Sequence, residues 1–523
     1  MYINIGLVKP PVKIWSDILG NGLINKSIVE IIKTHNGPCF FNEGELEIKY
    51  EALAKNIEMI GTQLSSIDMK NNKICALVLP NGINMAMSFL ALANFVTVSP
   101  LNPNYTKEEF LFFLQDLDCE FVIADHNASN ALVESTKQLG IKLFYLNSNA
   151  SENGLSIESL PVTSTCSLDQ NKGDDLCLIL HTSGTTSRPK QVQLSCINII
   201  SSALNIANVL KLKKADKGLN IMPLFHIHGL IASLLSSIVT GSSLVCTNGF
   251  NALTFYGNIN TFNPTWITAV PTMYQAILSR ASRNKEIINL ANLRLLRSSS
   301  AAMPVATIEA LENVFQCPVI EAYGMTEASH QMASNFLDTT RKPGSVGKSA
   351  GPQIALFKDN KLVTLKNTVG EILIKGSNVT RGYKNNKEAN KENFFDGWFK
   401  TGDLGKFDED GFLFISGRIK EIINKGGEKI SPQEVDEALM KHEAVFQAVC
   451  FSVKHEKLGE DIAAAVVLKE GKTVDQKELR THLSNSITAF KIPRQILILC
   501  EIPKGNTGKI QRIGLAKKLG LEL

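Results

Sequence analysis

Paired cysteines are missing: the ten thiols are scattered, with no C-x-x-C and no spacing that suggests zinc. That excludes a disulfide framework and suits single buried thiols in a reducing compartment. Charge of one sign is missing too. Lys and Arg number 54 against 50 Asp and Glu, a formal balance of +4, which argues against a dedicated nucleic-acid binder. The opening MYINIGLVKPPVKIW has no basic segment followed by an apolar one, so no signal peptide is expected. The closing GLEL is neither a peroxisomal nor an endoplasmic-reticulum address, and a cytoplasmic protein is expected. One charge-free run, Gly229 to Cys246, holds five serines, a threonine and Gly241. A membrane span needs about 20 mostly apolar residues. A buried helix, a glycine turn and the strand SSLVC are expected there instead, with no membrane span. No internal repeat and no low-complexity tract is present.

What is present is enough apolar residue, 44% of 523, to bury large cores and divide into at least two domains. Short apolar runs alternate with helical patterns over the first three-quarters: KICALVLP before GINMAMSFLALANFV, EFVIAD before NASNALVESTKQLG, then LCLIL, SSLVCT, TWITAV and LRLLRSS. This is the grammar of α/β domains with mostly parallel sheets. From about Val369 paired short strands with acidic and glycine turns take over, as in KFDEDGFLFISG, and the last hundred residues read as a small α+β domain. The expected organisation is a large α/β N-terminal domain, residues 1–417, of mostly parallel sheets with helices plus a β-rich portion. A small mobile α+β C-terminal domain, 418–523, follows a hinge near 418–421.

The strand LCLIL runs directly into HTSGTTSRPKQ, a loop crowded with hydroxyls and two cations. Alone, such a cluster is usually a solvated connection. It is followed in order by PLFHIHGL, SSSAAMP, EAYGMTEASH, GWFKTGDLG, GRIKEIINKGG and PKGNTGKIQR. This ordered set, from about Tyr50 to the end, resembles the adenylate-forming superfamily of acyl-CoA ligases, peptide-synthetase adenylation domains and luciferases.

The resemblance implies a role for each matched residue, and each role has a physical reason. The backbone of the loop at Gly184, the hydroxyls of Thr182, Ser183, Thr185 and Thr186, and Lys190 would surround the β- and γ-phosphates of ATP. The spacing is not that of a Walker A loop. Ser187 and Gln191 stand where the family often has glycine, and Gln191 lacks the backbone freedom of glycine. Gln191→Gly is therefore expected to raise turnover or leave it unchanged. Glu327, with Thr185, would hold Mg²⁺, a hard cation that wants oxygen ligands. Thr326 would hydrogen-bond the α-phosphate. Tyr323 would lie against adenine, with Ser300, Ala301 and Ala302 as a narrow wall and the Glu321–Ala322 backbone reading the base edge. Asp403 would accept both ribose hydroxyls, reinforced by Arg418. Lys509 would neutralise charge at the bridging α-phosphate oxygen. Lys420 occupies the hinge position, and Gly426 and Gly427 would line the tunnel for the pantetheine arm of CoA. The implied reaction joins a carboxylic acid to AMP, then to a thiol.

Among the branches, the chain looks most like the oxalate–CoA ligases. The candidate acyl-pocket residues, His226, Ser298, Ser300 and His330, are polar. A second carboxylate needs such donors, since a buried unpaired carboxylate is costly. The residues leave alternatives open: His226 as a conformational gate, His330 as a loop cap, a medium-chain or aryl acid as substrate, and a carrier-protein thiol as acceptor.

Overall fold

The computed structural model describes residues 21–44, 46–68, 73–149, 154–162, 168–182, 189–363, 366–503 and 510–521. Two parallel-cored sheets face each other across a helical layer. One has nine strands, of which six run parallel in the order Val319–Met325, Leu295–Ser298, Trp266–Ala269, Lys217–Asn220, Ser243–Cys246 and Pro38–Asn42. Antiparallel strands His330–Ser334 and Lys348–Ser349 extend it past Val319–Met325. The other has seven strands, with Ile74–Val78 and Thr97–Pro100 at its centre and the antiparallel pair Leu176–His181 and Gln191–Ser195 at one edge.

The central strands of these sheets are buried on both faces, as helices covering a parallel sheet on both sides require. Ile74–Val78, Phe121–Ala124, Trp266–Ala269 and Leu295–Ser298 are buried throughout. Helices Tyr50–Leu64, Ile83–Leu92 and Cys196–Leu210 fill the layer between the sheets in one large apolar core. Helix starts follow the local chemistry. Ser195 and Thr106 each form a capping box, with Asn198 and Glu109, and so open Cys196–Leu210 and Lys107–Leu117.

The charge-free run behaves as its composition dictates. His228–Leu235 is a π-helix, Ser236–Ile238 a short α-helix, Gly241 turns at φ 69°, and Ser243–Cys246 is a buried strand. Its serines bond back to helix carbonyls, Ser237 to Ser233 O at 2.8 Å for one. Among the described residues no helix is long and apolar enough to cross a membrane.

A third, antiparallel sheet is built on Gln353–Lys358, Gly370–Lys375, Trp398–Phe407 and Leu413–Arg418, and its apolar face joins the same large core. Beyond Arg418 and the short 3-10 turn Ile419–Glu421, separate cores begin. They cover the two faces of a sheet built on Val445–His455 and Gly459–Leu468, flanked by helices Pro432–Met440 and Gln476–Ser484. The described cysteines are all free, and only Cys500 among them is exposed.

Candidate active site

Ligands of open parallel sheets gather outside the carboxyl ends of the strands. Here the ends of Leu295–Ser298 and Val319–Met325 deliver Ser298 to Ala302 and Glu321 to Glu327 to one edge. Gly324 lets the strand approach its neighbour: a Cβ there would stand 1.8 Å from the His330 carbonyl oxygen. The bulge at this point sets Gly324 opposite Gln331 and Met325 opposite His330.

The residues expected to hold the nucleotide are tied together by side chains. The Tyr323 hydroxyl donates to Asp403 Oδ2, and Arg418 Nε donates to Asp403 Oδ1 at 2.7 Å. The Asp403 carboxylate beside Arg418 raises the guanidinium pKa further, and burial together with Asp403 keeps the Tyr323 phenol protonated. Both Asp403 oxygens therefore already hold one donor each, and two ribose hydroxyls would use the remaining lone pairs. The Glu321 carbonyl accepts from Asn335 N at 2.9 Å and the Ala322 carbonyl from Ser299 Oγ at 2.8 Å, so an adenine edge would share these acceptors. Ser300 is held at φ 73°, and Ala301 and Ala302 beside it are exposed.

Glu327 is buried, and its Oε1 accepts the Tyr383 hydroxyl at 2.8 Å. Burial raises its pKa above the ordinary carboxylate value, opposed by Tyr383, Arg418 and Lys190. A cation bound there would offset that burial cost, so the residue fits a Mg²⁺ that takes its other ligands from phosphates and water. No group of three or more His, Cys, Asp or Glu that could hold a metal occurs among the described residues. Thr326 is half-buried beside it. The Lys190 ammonium lies 4.6 Å from the centre of the Tyr383 ring, and burial and the nearby Lys420 lower its pKa. Thr182 and Lys190 pair at the stem of the loop that joins Leu176–His181 to Gln191–Ser195. Ser183, Gly184, Thr185 and Thr186 lie outside the described residues, as does Lys509.

A second polar cluster centres on a residue that sequence reasoning passed over. Arg297, on the Leu295–Ser298 strand, is 0% exposed. Its guanidinium donates to Gln331 Oε1 at 2.9 Å, Thr268 Oγ1 at 3.2 Å and His330 Nε2 at 3.3 Å, all neutral groups. Its Nε has no partner among the described residues. Burial pulls its pKa down to about 9. Because arginine only donates, His330 Nε2 must accept, which assigns the proton of that ring to Nδ1. The His330 ring packs tilted against His228, centroids 4.7 Å apart, and His228 bonds Thr268 Oγ1 at 2.7 Å and Ser300 Oγ at 3.0 Å. A polar chain thus runs from Arg297 to Ser300.

The structure places the two candidate histidines differently. His330 lies in the strand His330–Ser334 and does not cap a loop. The histidine joined to His330 and Ser300 is His228, at the start of the π-helix, while half-buried His226 packs on Phe225 at 4.6 Å. Ser298 is buried, but the pleat sends it to the opposite face from Arg297, the side of Leu296 and its core. Lys420 is exposed on the 3-10 turn. Gly426 and Gly427, at φ 60° and 96°, form the two-residue turn of a hairpin, a conformation that by itself calls for glycine.

The sequence profile of the AMP-binding enzyme family matches residues 33–384, and that of the AMP-binding enzyme C-terminal domain matches 434–509. The chain belongs to the AMP-binding enzyme family. It is 42% identical to an oxalate–CoA ligase of Arabidopsis thaliana over 90% of its own length and 93% of that protein. It is 39% identical to an oxalate–CoA ligase of Saccharomyces cerevisiae, covering 84% and 86% of the two chains. Its structure superposes on ATP-bound MatB from Rhodopseudomonas palustris with a TM-score of 0.86 at 25% identity, over 94% and 99% of the chains. Relatives at this identity over most of the chain make it an AMP-forming acyl-CoA synthetase.

The site also carries a titration signature. Burial pushes the Glu321 carboxyl up to about 8, against a hydrogen bond from Gly344 N at 3.0 Å. A raised carboxyl binds its proton more tightly in the folded state, so stability falls as pH rises from the ordinary value of 4.5 to about 8. Glu321→Gln is expected to flatten that decline in melting temperature between pH 5 and about 8. Parallel curves for the two proteins would refute the assignment.

Proposed function

We propose that the enzyme activates a small dicarboxylate, oxalate, as its adenylate and transfers the oxalyl group to CoA. The observation that carries this reading is Arg297: a fully buried guanidinium whose partners are all neutral, in a polar cluster with His330, Gln331 and Thr268. A monocarboxylic acid has no use for a second cation there, and burying an unpaired cation is expensive. The second carboxylate of oxalate would meet it. The names of the relatives at 42% and 39% identity support the same acid.

In the first half-reaction a carboxylate oxygen bonds to the α-phosphorus and the bond to the bridging oxygen breaks, releasing pyrophosphate. In the second, the thiol sulfur bonds to the acyl carbon, AMP leaves and the thiol proton is lost to solvent. Mg²⁺ bound at Glu327 would neutralise phosphate charge. Lys190 and Thr182 would hold the distal phosphates, Asp403 and Arg418 the ribose, and Tyr323 the adenine. Residues from about 418 onward would rotate between the half-reactions, withdrawing Lys509 and bringing in the Gly426–Gly427 hairpin.

The test is pyrophosphate release over a panel of acids, with and without CoA. Oxalate should exceed acetate, hexanoate and cinnamate in kcat/KM by about 10⁴-fold, the discrimination of a site built for polar groups. Hexanoate or cinnamate as the better substrate would remove oxalate and leave the acyl-CoA synthetase standing.

A further inference from the structure

The Leu176–His181 and Gln191–Ser195 strands pair up to His181 opposite Gln191, and one further rung closes the stem. Thr182 N donates to Lys190 O at 2.9 Å, and Lys190 N donates to Thr182 Oγ1 at 3.2 Å. Directly under that rung sits a buried polar cluster. Gln191 is 5% exposed, and its Nε2 donates to Asp116 O at 2.6 Å and Asp116 Oδ2 at 2.8 Å. His181 Nε2 donates to the same Oδ2 at 3.1 Å. Burial holds the His181 pKa below its ordinary value despite Asp116, so the ring is a neutral donor. It makes a T-shaped contact with Phe113, centroids 4.7 Å apart, on the helix that carries Asp116. Both edges of the stem are therefore fastened to one carboxylate on the helix Lys107–Leu117.

A third segment locks on from the other side. Lys384 N donates to Gln191 O at 3.0 Å, Lys384 Nζ to Leu117 O at 2.7 Å, and Tyr383 bridges Val192. Tyr383 is the ring under the Lys190 ammonium and the donor to Glu327. The Gln191 Oε1 is buried without a partner among the described residues, a cost accepted to place Nε2 on Asp116.

We infer that Gln191, acting through Asp116 and His181, is a positioning residue that holds Thr182 and Lys190 toward the distal phosphates of ATP. This rests on the adenylate-forming reading and not on the choice of acid. It reverses the expectation drawn from the missing glycine. The side chain supplies what backbone freedom would remove, and Gln191→Gly should weaken the enzyme.

The test measures binding without any acid, using α,β-methylene-ATP with Mg²⁺ against AMP on the full chain by calorimetry. Gln191→Met keeps the volume and deletes both bonds. Its Kd for α,β-methylene-ATP should rise about tenfold, the scale of one charge-assisted hydrogen bond, with AMP affinity within about twofold of the parent. Asp116→Asn should show the same split more weakly, and the double variant should lose no more than Gln191→Met alone. Retained AMP binding proves the fold, and Asp116→Asn carries the test should Gln191→Met not fold. Equal weakening of both nucleotides, no change in either, or tighter binding of the ATP analogue would each overturn the inference. Failure of oxalate as substrate would leave these measurements untouched.

Discussion

Arg297→Met is expected to lower kcat/KM for oxalate by about 10³–10⁴-fold, the loss of a buried, hydrogen-bonded charge pair in the transition state. Acetate should change by less than about threefold, because a methyl group makes no demand on the cation. The physical basis is the buried guanidinium itself. Its three described partners are a threonine hydroxyl, a glutamine carbonyl and an imidazole nitrogen, and none carries a negative charge at neutral pH. Methionine fills similar volume without charge, so the fold loses little in packing. It also lifts the cost of burying a cation, so melting temperature should hold or rise. His330→Ala should follow the same substrate pattern, since His330 shares the Arg297 contact. A parallel fall for every acid, with weaker ATP binding, would mean that Arg297 braces the nucleotide site rather than selecting the substrate.

Much of this architecture was legible because it depends on short-range pattern. TWITAV, EFVIAD and LCLIL read as buried strands, and each forms one within a residue or two of its apolar run. The Gly229 to Cys246 run resolves into helix, glycine turn and strand as its serines and Gly241 demand. Tyr323, Asp403 and Arg418, named singly from their motifs, meet in one hydrogen-bonded set.

Arg297 was hidden by its type. In LRLLRSS an arginine looks like the solvated member of a strand, since arginine is almost never fully buried unless paired. The available signal was positional: a strand flanked by buried parallel neighbours has no wet face, and an arginine near its carboxyl end points at the ligand crevice. His228 was not named beside His226, two residues earlier in PLFHIHGL, because periodicity does not announce a π-helix. Gln191 was read only for its backbone. Its side-chain partner, Asp116, lies 75 residues earlier on another element, a pairing that only the assembled sheet edge creates.

Lys509→Ala is expected to slow acid-dependent pyrophosphate release by about 10²–10³-fold, the usual loss for one donor aimed at developing charge. Attack at the α-phosphorus builds negative charge on the bridging oxygen, and relief requires a cation brought to that atom. The nearest basic neighbour along the chain cannot deputise. Arg512 is fixed by Asp436 at 2.5 Å, Glu421 at 3.1 Å and the Cys450 carbonyl at 2.9 Å. Lys190 is committed beside Tyr383, where it would face the distal phosphates. In the thioester half-reaction no charge accumulates on that oxygen, because pyrophosphate has already left. Preformed acyl-adenylate should therefore yield thioester with CoA at a rate within about threefold of the parent, whatever acid it carries. Single-turnover measurements of the two halves separate the outcomes: a loss confined to pyrophosphate release supports the role of Lys509, and an equal loss in both halves removes it.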